Sequence, residues 1–215
     1  MSYIFDEAQD LGGHDFNFIL KLTRAKINFL FVGDFFQNTY TTSFDRNVNI
    51  NLYNDLEVFI QRYKYYNIEV DVSTLEKSFR CSPNLCDFIT KKLGINIQSN
   101  RLDETNIFEI SDTDEILKII NNNSIVKLVY DKSSNKNYFS KNWGECKGED
   151  DFQNTCILLN KTTYALYKKD RLNQLKPRTK NKLYVALSRT KGDCYLIEEK
   201  IVEEVILQNH TVVDQ

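Results

Sequence analysis

Two short apolar runs, each ending on an acidic residue, constrain the fold most strongly. Residues 2–6 read SYIFD, and residues 27–33 read INFLFVG and are followed by Asp34. Continuous apolar runs of this length are typical of strands that are buried on both faces of a parallel sheet. Residues 14–24 between them have apolar side chains at helical spacing, so the three segments together predict a βαβ unit.

The rest of the chain continues to alternate between helices and strands, which predicts an α/β fold built on a parallel sheet. Helices are predicted at 52–66, 83–93, 112–121, 161–172 and 178–188, with a last one after 193–197. Strands are predicted at 68–75, 106–110, 125–130, 137–143, 155–159 and 193–197. Ser82-Pro83 and Asp112 are residue types that begin helices. A domain boundary is expected after Phe44 or near 66–76.

Composition places the chain among soluble globular proteins. Its 215 residues are 41% hydrophobic and 27% charged, with a net charge of -2. No apolar run is long enough to span a bilayer, and the first residues do not resemble a signal peptide. We therefore expect a cytoplasmic protein with no membrane partner. The five cysteines lack the paired short spacings of a zinc site, which favours reduced, structural thiols.

The near-neutral total charge conceals a basic segment at 161–191. It holds ten Lys or Arg residues and a single acidic residue, Asp170. Clustered basic side chains indicate contact with phosphates, either of a nucleotide or of nucleic acid. A solvated helix face explains the same charges, so the segment alone leaves both interpretations open.

The two acidic strand ends have the composition of a nucleotide-hydrolysing site. Asp6 and Glu7 follow the first strand, so one carboxylate can bind Mg²⁺ while the other positions the attacking water. The second strand ends VGDFFQNTY, where the amide of Gln37 can orient water or contact a terminal phosphate. The carboxyl edge of a parallel sheet is where α/β proteins bind ligands.

Five ordered segments carry a family resemblance. YIFDEAQDL resembles motif II, and VGDFFQNTY resembles motif III, of UvrD/Rep-type superfamily 1 DNA helicases. LEKSFRCSPNLCDFI is similar to motif IV, NWGECKGEDDFQNTCIL to motif V and KLYVALSRTKGDCYLI to motif VI. The short path from motif IV to motif V is similar to that of phage and bacterial members without a 2B insertion. The resemblance implies RecA-like, P-loop NTPase-like domains: the end of the first at 1–66 and the second at 67–215.

The resemblance also implies roles at the matched positions. Asp6 would bind Mg²⁺, Glu7 would activate water, and Gln9 and Gln37 would sense the terminal phosphate of ATP. Arg80 and Arg189 would be arginine fingers that stabilise the transferred phosphoryl group across an interdomain cleft.

Nucleoside and DNA contacts follow from the same resemblance. Phe79 would stack on adenine, and Asp150 lies near the ribose-contacting position of motif V, where Glu149-Asp150-Asp151 replaces the usual apolar-containing step. DNA-binding positions are Tyr40, Thr42, Phe44 and Lys147. The implied partner is single-stranded or partly duplex DNA.

The Walker A signature G-x-x-x-x-G-K-[ST] does not occur in the 215 residues. The resemblance therefore implies the C-terminal portion of a helicase, whose partner is an N-terminal half that carries this phosphate loop. ATP and Mg²⁺ would be used only in the complete two-domain assembly, and the chain alone is expected to be inactive. Two alternatives stay open: a non-catalytic module that binds nucleic acid or protein, and a structural or regulatory protein that uses the fold to occupy a partner's interface.

Overall fold

The computed structural model describes residues 2–25, 27–39, 48–130 and 138–213, with side chains up to residue 209. The chain divides into two compact units. The first unit is Met1–Thr74 with Lys176–Asn181, and the second unit is Leu75–Leu175 with Lys182–Gln215. The predicted α/β fold with a parallel sheet is confirmed. The predicted domain division at residues 66 and 67 stays a prediction.

Strands and helices alternate along the described residues. The strands are β1 Ser2–Phe5, β2 Asn28–Phe31, β3 Lys77–Ser78, β4 Gln98–Ser99, β5 Ile107–Glu109, β6 Ile125–Val129, β7 Ser140–Asn142, β8 Asn154–Leu159 and β9 Cys194–Glu198. The helices are α1 Gly13–Leu22, α2 Leu56–Tyr65, α3 Pro83–Leu93, α4 Thr113–Asn121, α5 Lys161–Lys168, α6 Pro177–Ser188 and α7 Glu199–Val213. Within these residues, no helix has the length and apolar composition that crossing a bilayer requires.

The first unit contains the predicted βαβ unit. β1 and β2 pair in parallel, with Tyr3 opposite Phe29 and Phe5 opposite Phe31. These four rings stack on one face of the pair. Aromatic and aliphatic side chains from α1, α2 and the intervening segments form the core beneath that face: Phe16, Leu20, Phe35, Leu52, Tyr53, Phe59 and Tyr63.

The prediction that β1 and β2 are buried on both faces is wrong. On the face opposite the aromatic rings, Ile4 is 70% exposed and Leu30 is 55% exposed. The reason is that α1 and α2 cover one face only: Phe31 packs against Tyr63 of α2 at 5.4 Å between ring centres. The described residues leave Ile4 and Leu30 largely exposed. The two parallel strands were therefore predicted correctly, whereas the burial of their second face was not.

The second unit is built on a five-stranded parallel sheet in the order β5-β9-β8-β6-β7. β8 lies in the middle and is buried along nearly all its length. Its Leu158 packs with Ile116 of α4 and Val202 of α7 in one core cluster. Two predicted helix starts are confirmed, because the side chains of Ser82 and Asp112 accept hydrogen bonds from backbone N–H groups of the first turns of α3 and α4.

Two predicted elements differ from the structure. Residues 68–75 do not form a strand, because the Asp71 carboxylate accepts hydrogen bonds from the backbone N–H groups of Ser73 and Thr74 and so stabilises a turn. The helix predicted from residue 52 begins at Leu56, where the Asp55 side chain caps it. The short parallel pair β3 and β4 was not predicted, since two-residue strands leave no periodic signal.

Candidate functional site

The carboxylates of Asp6 and Glu7 lie directly after β1, at the carboxyl edge of the two-stranded sheet. Both side chains are exposed. The backbone of Glu7 has φ 52°, in the left-handed region that non-glycine residues rarely adopt. The Asp6 carboxylate accepts the Glu7 backbone N–H at 2.9 Å, which fixes this turn.

Gln9 links the ends of the two strands. Its side chain is buried, and its amide nitrogen donates to the Glu7 carboxylate. Its amide oxygen accepts the backbone N–H of Asp34 at 3.0 Å. A Cβ atom added at Gly33 would lie 2.2 Å from this oxygen, so any larger residue where the second strand ends would push the Gln9 amide out of place. The two acidic strand ends are thereby held in one hydrogen-bonded group.

Asp34 in turn orders the segment that follows β2. Its carboxylate accepts the backbone N–H of Phe36 at 3.0 Å and the side-chain amide of Gln37 at 3.0 Å. The first of these bonds caps the short 3-10 helix Phe35–Gln37. Gln37 is therefore oriented by an acidic residue that itself bonds to Gln9.

Two asparagines that the sequence analysis did not single out extend this group into the interior. The Asn38 side chain donates to the Gln9 carbonyl at 2.6 Å, and the Asn181 side chain donates to the Asn38 carbonyl at 3.1 Å. Gln9, Asn38 and Asn181 are all at most 4% exposed. Asn181 comes from α6, 143 positions away from Asn38, so no local signal in the sequence could have joined them.

In the second unit, Phe79 and Arg80 lie in the segment between β3 and α3. The Arg80 Nε donates to the Asp150 carboxylate at 2.5 Å, and its Nη1 donates to the Ser188 carbonyl at 3.2 Å. The Phe79 ring is 78% exposed beside it. An exposed aromatic ring next to a guanidinium is a suitable surface for a base and a phosphate.

Arg189 follows α6 and is 4% exposed. Its Nη1 donates to the Glu149 carbonyl at 3.2 Å. Burial, and secondly the nearby charge of Arg80, lower the pKa of Arg189 from its usual value. An arginine keeps its proton even so, because the ordinary pKa of this side chain is far above neutrality. Two guanidinium groups therefore influence each other electrostatically here.

Lys191 is the third cation at this place, and the sequence analysis did not select it. Its Nζ lies 3.5 Å from the Asp150 carboxylate. Lys191 and Asp150 line an open cleft of about 280 Å³ together with Ser78, Phe79 and Arg80. A cleft that combines cations with an exposed ring suits an aromatic anion.

The sequence matches a family model described as "Viral superfamily 1 RNA helicase core domain", over residues 2–198. The chain belongs to this helicase family. The match includes the strand ends of the first unit and the arginines of the second. No match is found among curated proteins.

Seven chains of solved structures also match this superfamily 1 helicase chain. One is described as "The structure of PRRSV helicase", with a TM-score of 0.54 and 16% identity. The match covers 93% of this chain and 35% of that one, so the chain spans about a third of the length of that helicase. This likeness supports the predicted RecA-like fold. The superfamily 1 assignment is confirmed, while the UvrD/Rep DNA type stays a prediction.

The structure brings the predicted helicase residues together in two sets. Asp6, Glu7, Gln9 and Gln37 form one group in the first unit, and Phe79, Arg80, Asp150 and Arg189 form another in the second. Lys147 lies in the turn that follows β7. Tyr40, Thr42 and Phe44 lie outside the described residues. The individual roles of all these residues stay predictions.

The predicted Mg²⁺ ligand has suitable chemistry in this helicase family member. Mg²⁺ takes one or two carboxylates together with phosphate and water oxygens, and seldom a cage made of protein alone. Asp6 supplies an exposed carboxylate at the strand end. Among the described residues, no three His, Cys, Asp or Glu side chains group as metal ligands.

Proposed function

We propose that this chain works in the cytoplasm as part of an ATP-dependent helicase motor, and supplies the catalytic base strand and the arginine fingers. The observation that carries the proposal is the second unit's cleft, where the Arg80 guanidinium lies beside the exposed Phe79 ring and Lys191. Arg189 is buried nearby, and burial, followed by the charge of Arg80, lowers the pKa of Arg189. Membership of the helicase family supports this assignment.

In the proposed reaction, Glu7 accepts the proton of the attacking water. Gln9 holds the Glu7 carboxylate from the interior, which limits the positions that the base can take. Gln37, held by Asp34, contacts the terminal phosphate or the water. Arg80 and Arg189 stabilise negative charge on the transferred phosphoryl group. Asp6 would hold a magnesium ion, which would supply further positive charge to the phosphate.

A phosphate-binding loop is the part that these 215 residues do not encode. Base and arginines act only on a phosphoryl group that is already positioned. We therefore propose that polypeptide outside these residues supplies the loop, and that these residues by themselves hydrolyse ATP negligibly.

The proposed nucleic-acid partner is a single strand along which the motor moves. The motif resemblance favours DNA, whereas the matching family is described as one of RNA helicases. We propose single-stranded nucleic acid as the shared chemistry, recognised through its backbone and stacked bases. ATPase stimulation by matched RNA and DNA oligonucleotides distinguishes the two, because only RNA has the 2′-hydroxyl.

The direct test mixes this chain with a polypeptide that carries the helicase phosphate loop. We expect Mg²⁺-dependent ATP hydrolysis that is stimulated by a single strand. Glu7→Gln should abolish the turnover but leave nucleotide binding nearly intact, because the amide keeps the shape of the side chain and cannot accept the proton. Glu57→Gln on α2 is the matched control and should leave turnover unchanged. Hydrolysis that survives Glu7→Gln contradicts the proposal.

A non-catalytic nucleic-acid-binding module is the second candidate, and the basic segment favours it. Within the second unit, Lys161, Lys169 and Arg171 are exposed on and just after α5. If the chain is such a module, it binds single strands by itself, and its affinity falls steeply as salt is raised. Binding without any stimulated ATPase in the mixing experiment would favour this candidate over the motor.

A further inference from the structure

The Asp150 carboxylate is shared between two cations of the second unit. Its Oδ1 lies 2.5 Å from the Arg80 Nε and 3.5 Å from the Lys191 Nζ. Hydrogen bonding and charge attraction from Arg80 lower the pKa of Asp150 from its usual value. The side chain is 61% exposed, so the carboxylate stays ionised and lies at the surface of the cleft.

The backbone fixes the two cations on either side of this carboxylate. Arg101 donates from one guanidinium nitrogen to the Arg80 carbonyl, and also to the Lys191 carbonyl at 2.7 Å. Asp103 pairs with the same guanidinium and holds its orientation. The segments that carry Arg80 and Lys191 are therefore joined through Arg101. The Asp150 carboxylate lies within reach of both side chains.

An exposed ion pair of this kind is weak, because water screens it and two side chains must be ordered. A polyphosphate brings several negative charges and can accept two parallel hydrogen bonds from one guanidinium. It can therefore compete with a single carboxylate for Arg80. A carboxylate released in this way is still within reach of Lys191, whose charge compensates it.

We propose that Asp150 is an internal competitor of the nucleotide polyphosphate for Arg80, and that Lys191 receives the Asp150 carboxylate when Arg80 turns to the phosphates. The inference rests on the proposed function, since it assumes that the cleft takes a nucleotide. It assigns to Lys191 a positioning role and to Asp150 a regulatory one. Before nucleotide binds, Arg80 is paired with the Asp150 carboxylate.

The proposed competition and a ribose contact predict opposite changes in ATP affinity when Asp150 is replaced by Asn. If Asp150 bonds to the ribose, as the motif V resemblance implies, then Asp150→Asn weakens the binding of ATP and of adenosine. If Asp150 competes for Arg80, the same substitution strengthens the binding of ATP and of inorganic tripolyphosphate, and leaves adenosine unchanged. Tripolyphosphate has no ribose, so its response separates the two interpretations.

The experiment is calorimetric titration of the 215-residue chain with tripolyphosphate, ATP and adenosine. We expect Asp150→Asn to tighten tripolyphosphate binding by about two- to fivefold, the size of one exposed pair. Asp87→Asn is the matched control, because it also removes one carboxylate from an exposed pair of the second unit, with Lys91, away from the cleft-lining residues. This control should change the affinity much less.

Lys191→Gln supplies the opposite change. It should weaken tripolyphosphate binding by about two- to fivefold, while Lys91→Gln serves as its matched control.

The Arg80 Nε–H signal in nitrogen-15 NMR reports the exchange of partners directly. In the parent chain it should move as tripolyphosphate is added, and in Asp150→Asn it should begin away from the parent position.

Three results overturn the inference: Asp150→Asn binding tripolyphosphate no more tightly than Asp87→Asn, an Arg80 signal that does not move at saturation, or no binding by either chain at millimolar tripolyphosphate. None of these measurements uses ATP hydrolysis. If the proposed motor is wrong, the mixing experiment gives no turnover, or turnover that survives Glu7→Gln, whereas the tripolyphosphate titrations test the inference without any turnover. The two failures are therefore distinguishable.

Discussion

Two of the parallel sheets, the β1–β2 pair and the five-stranded sheet, contain strands that look alike in sequence and differ in burial. β1 and β2 are short apolar strands, yet Ile4 is 70% exposed on one face of that pair. β8 is also a short apolar strand, and its Leu158 is completely buried between neighbouring strands and helices of the second unit. An apolar run therefore specifies that a strand forms, whereas its neighbours determine how much of it is removed from water.

The two units also differ in the burial of the polar groups that hold their candidate site residues. In the first unit, the carboxylate of Glu7 accepts a hydrogen bond from the buried Gln9 amide, and the Gln9 carbonyl in turn accepts one from the buried Asn38 side chain. In the second, Arg80 is held by the exposed carboxylate of Asp150. Buried amide hydrogen bonds give a rigid group, whereas an exposed ion pair can exchange partners. This difference agrees with the proposed roles of Glu7 as a fixed base and of Arg80 as a cation that exchanges partners.

The largest expected effect is on stability, and it tests the difference in burial between the two sheets. Leu158→Ala should lower the free energy of unfolding by about 2–5 kcal/mol, because it leaves a cavity in a closed core. Ile4→Ala should change it by at most about 0.5 kcal/mol, because the side chain is already largely in water. Urea unfolding followed by circular dichroism measures both, and fluorescence of the only tryptophan, Trp143, reports the second unit. Equal losses in the two variants would show that the Ile4 face is covered.

The next effect concerns the buried amides of the first unit. Asn38→Ala should lower the free energy of unfolding of that unit by about 1–3 kcal/mol, because the Gln9 carbonyl loses a buried donor. Asn54→Ala is the control, since this exposed side chain makes one long hydrogen bond of 3.4 Å, and it should cost less than about 0.5 kcal/mol. Hydrogen exchange of the first unit's amides measures the difference. If the two variants behave alike, the buried amide chain does not stabilise the unit.

The Gln9 group also predicts a specific effect on catalysis. Gly33→Ala places a methyl group against the Gln9 amide oxygen, so this flexible side chain must move and its bond to Glu7 is disturbed. We expect a moderate loss of stability and a fall in stimulated turnover of roughly a hundredfold, since a small misplacement of a catalytic group has effects of this size. Steady-state kinetics should show the loss in kcat rather than in KM. Unchanged kcat contradicts the role of Gln9 in positioning the base.

The smallest effect is the pH dependence of the exposed pair. Arg80 lowers the folded-state pKa of Asp150, so the stabilisation from this pair is fully present above the unfolded-state pKa of about 3.8. It is lost as the pH falls through the lower folded-state value, so no change is expected between about pH 6 and pH 8. Carbon-13 NMR titration of the Asp150 carboxyl checks this. Its midpoint should rise in Arg80→Gln, and an unmoved midpoint would exclude Arg80 as the cause.

The sequence predicted local features better than long-range ones. The caps at Ser82 and Asp112 depend on neighbouring residues, so they could be recognised directly. The exposure of Ile4 depends on what packs beside the sheet, which no local pattern contains. Asn181 could not have been found either, because its partner Asn38 is 143 positions away.

Motif order explains which site residues were found. Arg80 and Arg189 were selected because they occupy recognisable positions in ordered motifs, and the structure places both near the Glu149-Asp150 segment. Lys191 and Arg101 occupy no such position and were recognised only from their contacts with Asp150 and with backbone carbonyls.

The most direct test of the central claim is ATP hydrolysis measured with Mg²⁺ and a single strand, first with the 215-residue chain alone and then after adding polypeptide that carries the phosphate loop. We expect negligible turnover for the chain alone, turnover on mixing, and loss of that turnover when the Arg189→Gln variant replaces the parent chain. Turnover by the chain alone that Glu7→Gln abolishes would contradict the proposed division of the catalytic site, and mixed turnover that survives Arg189→Gln would contradict the role of that arginine.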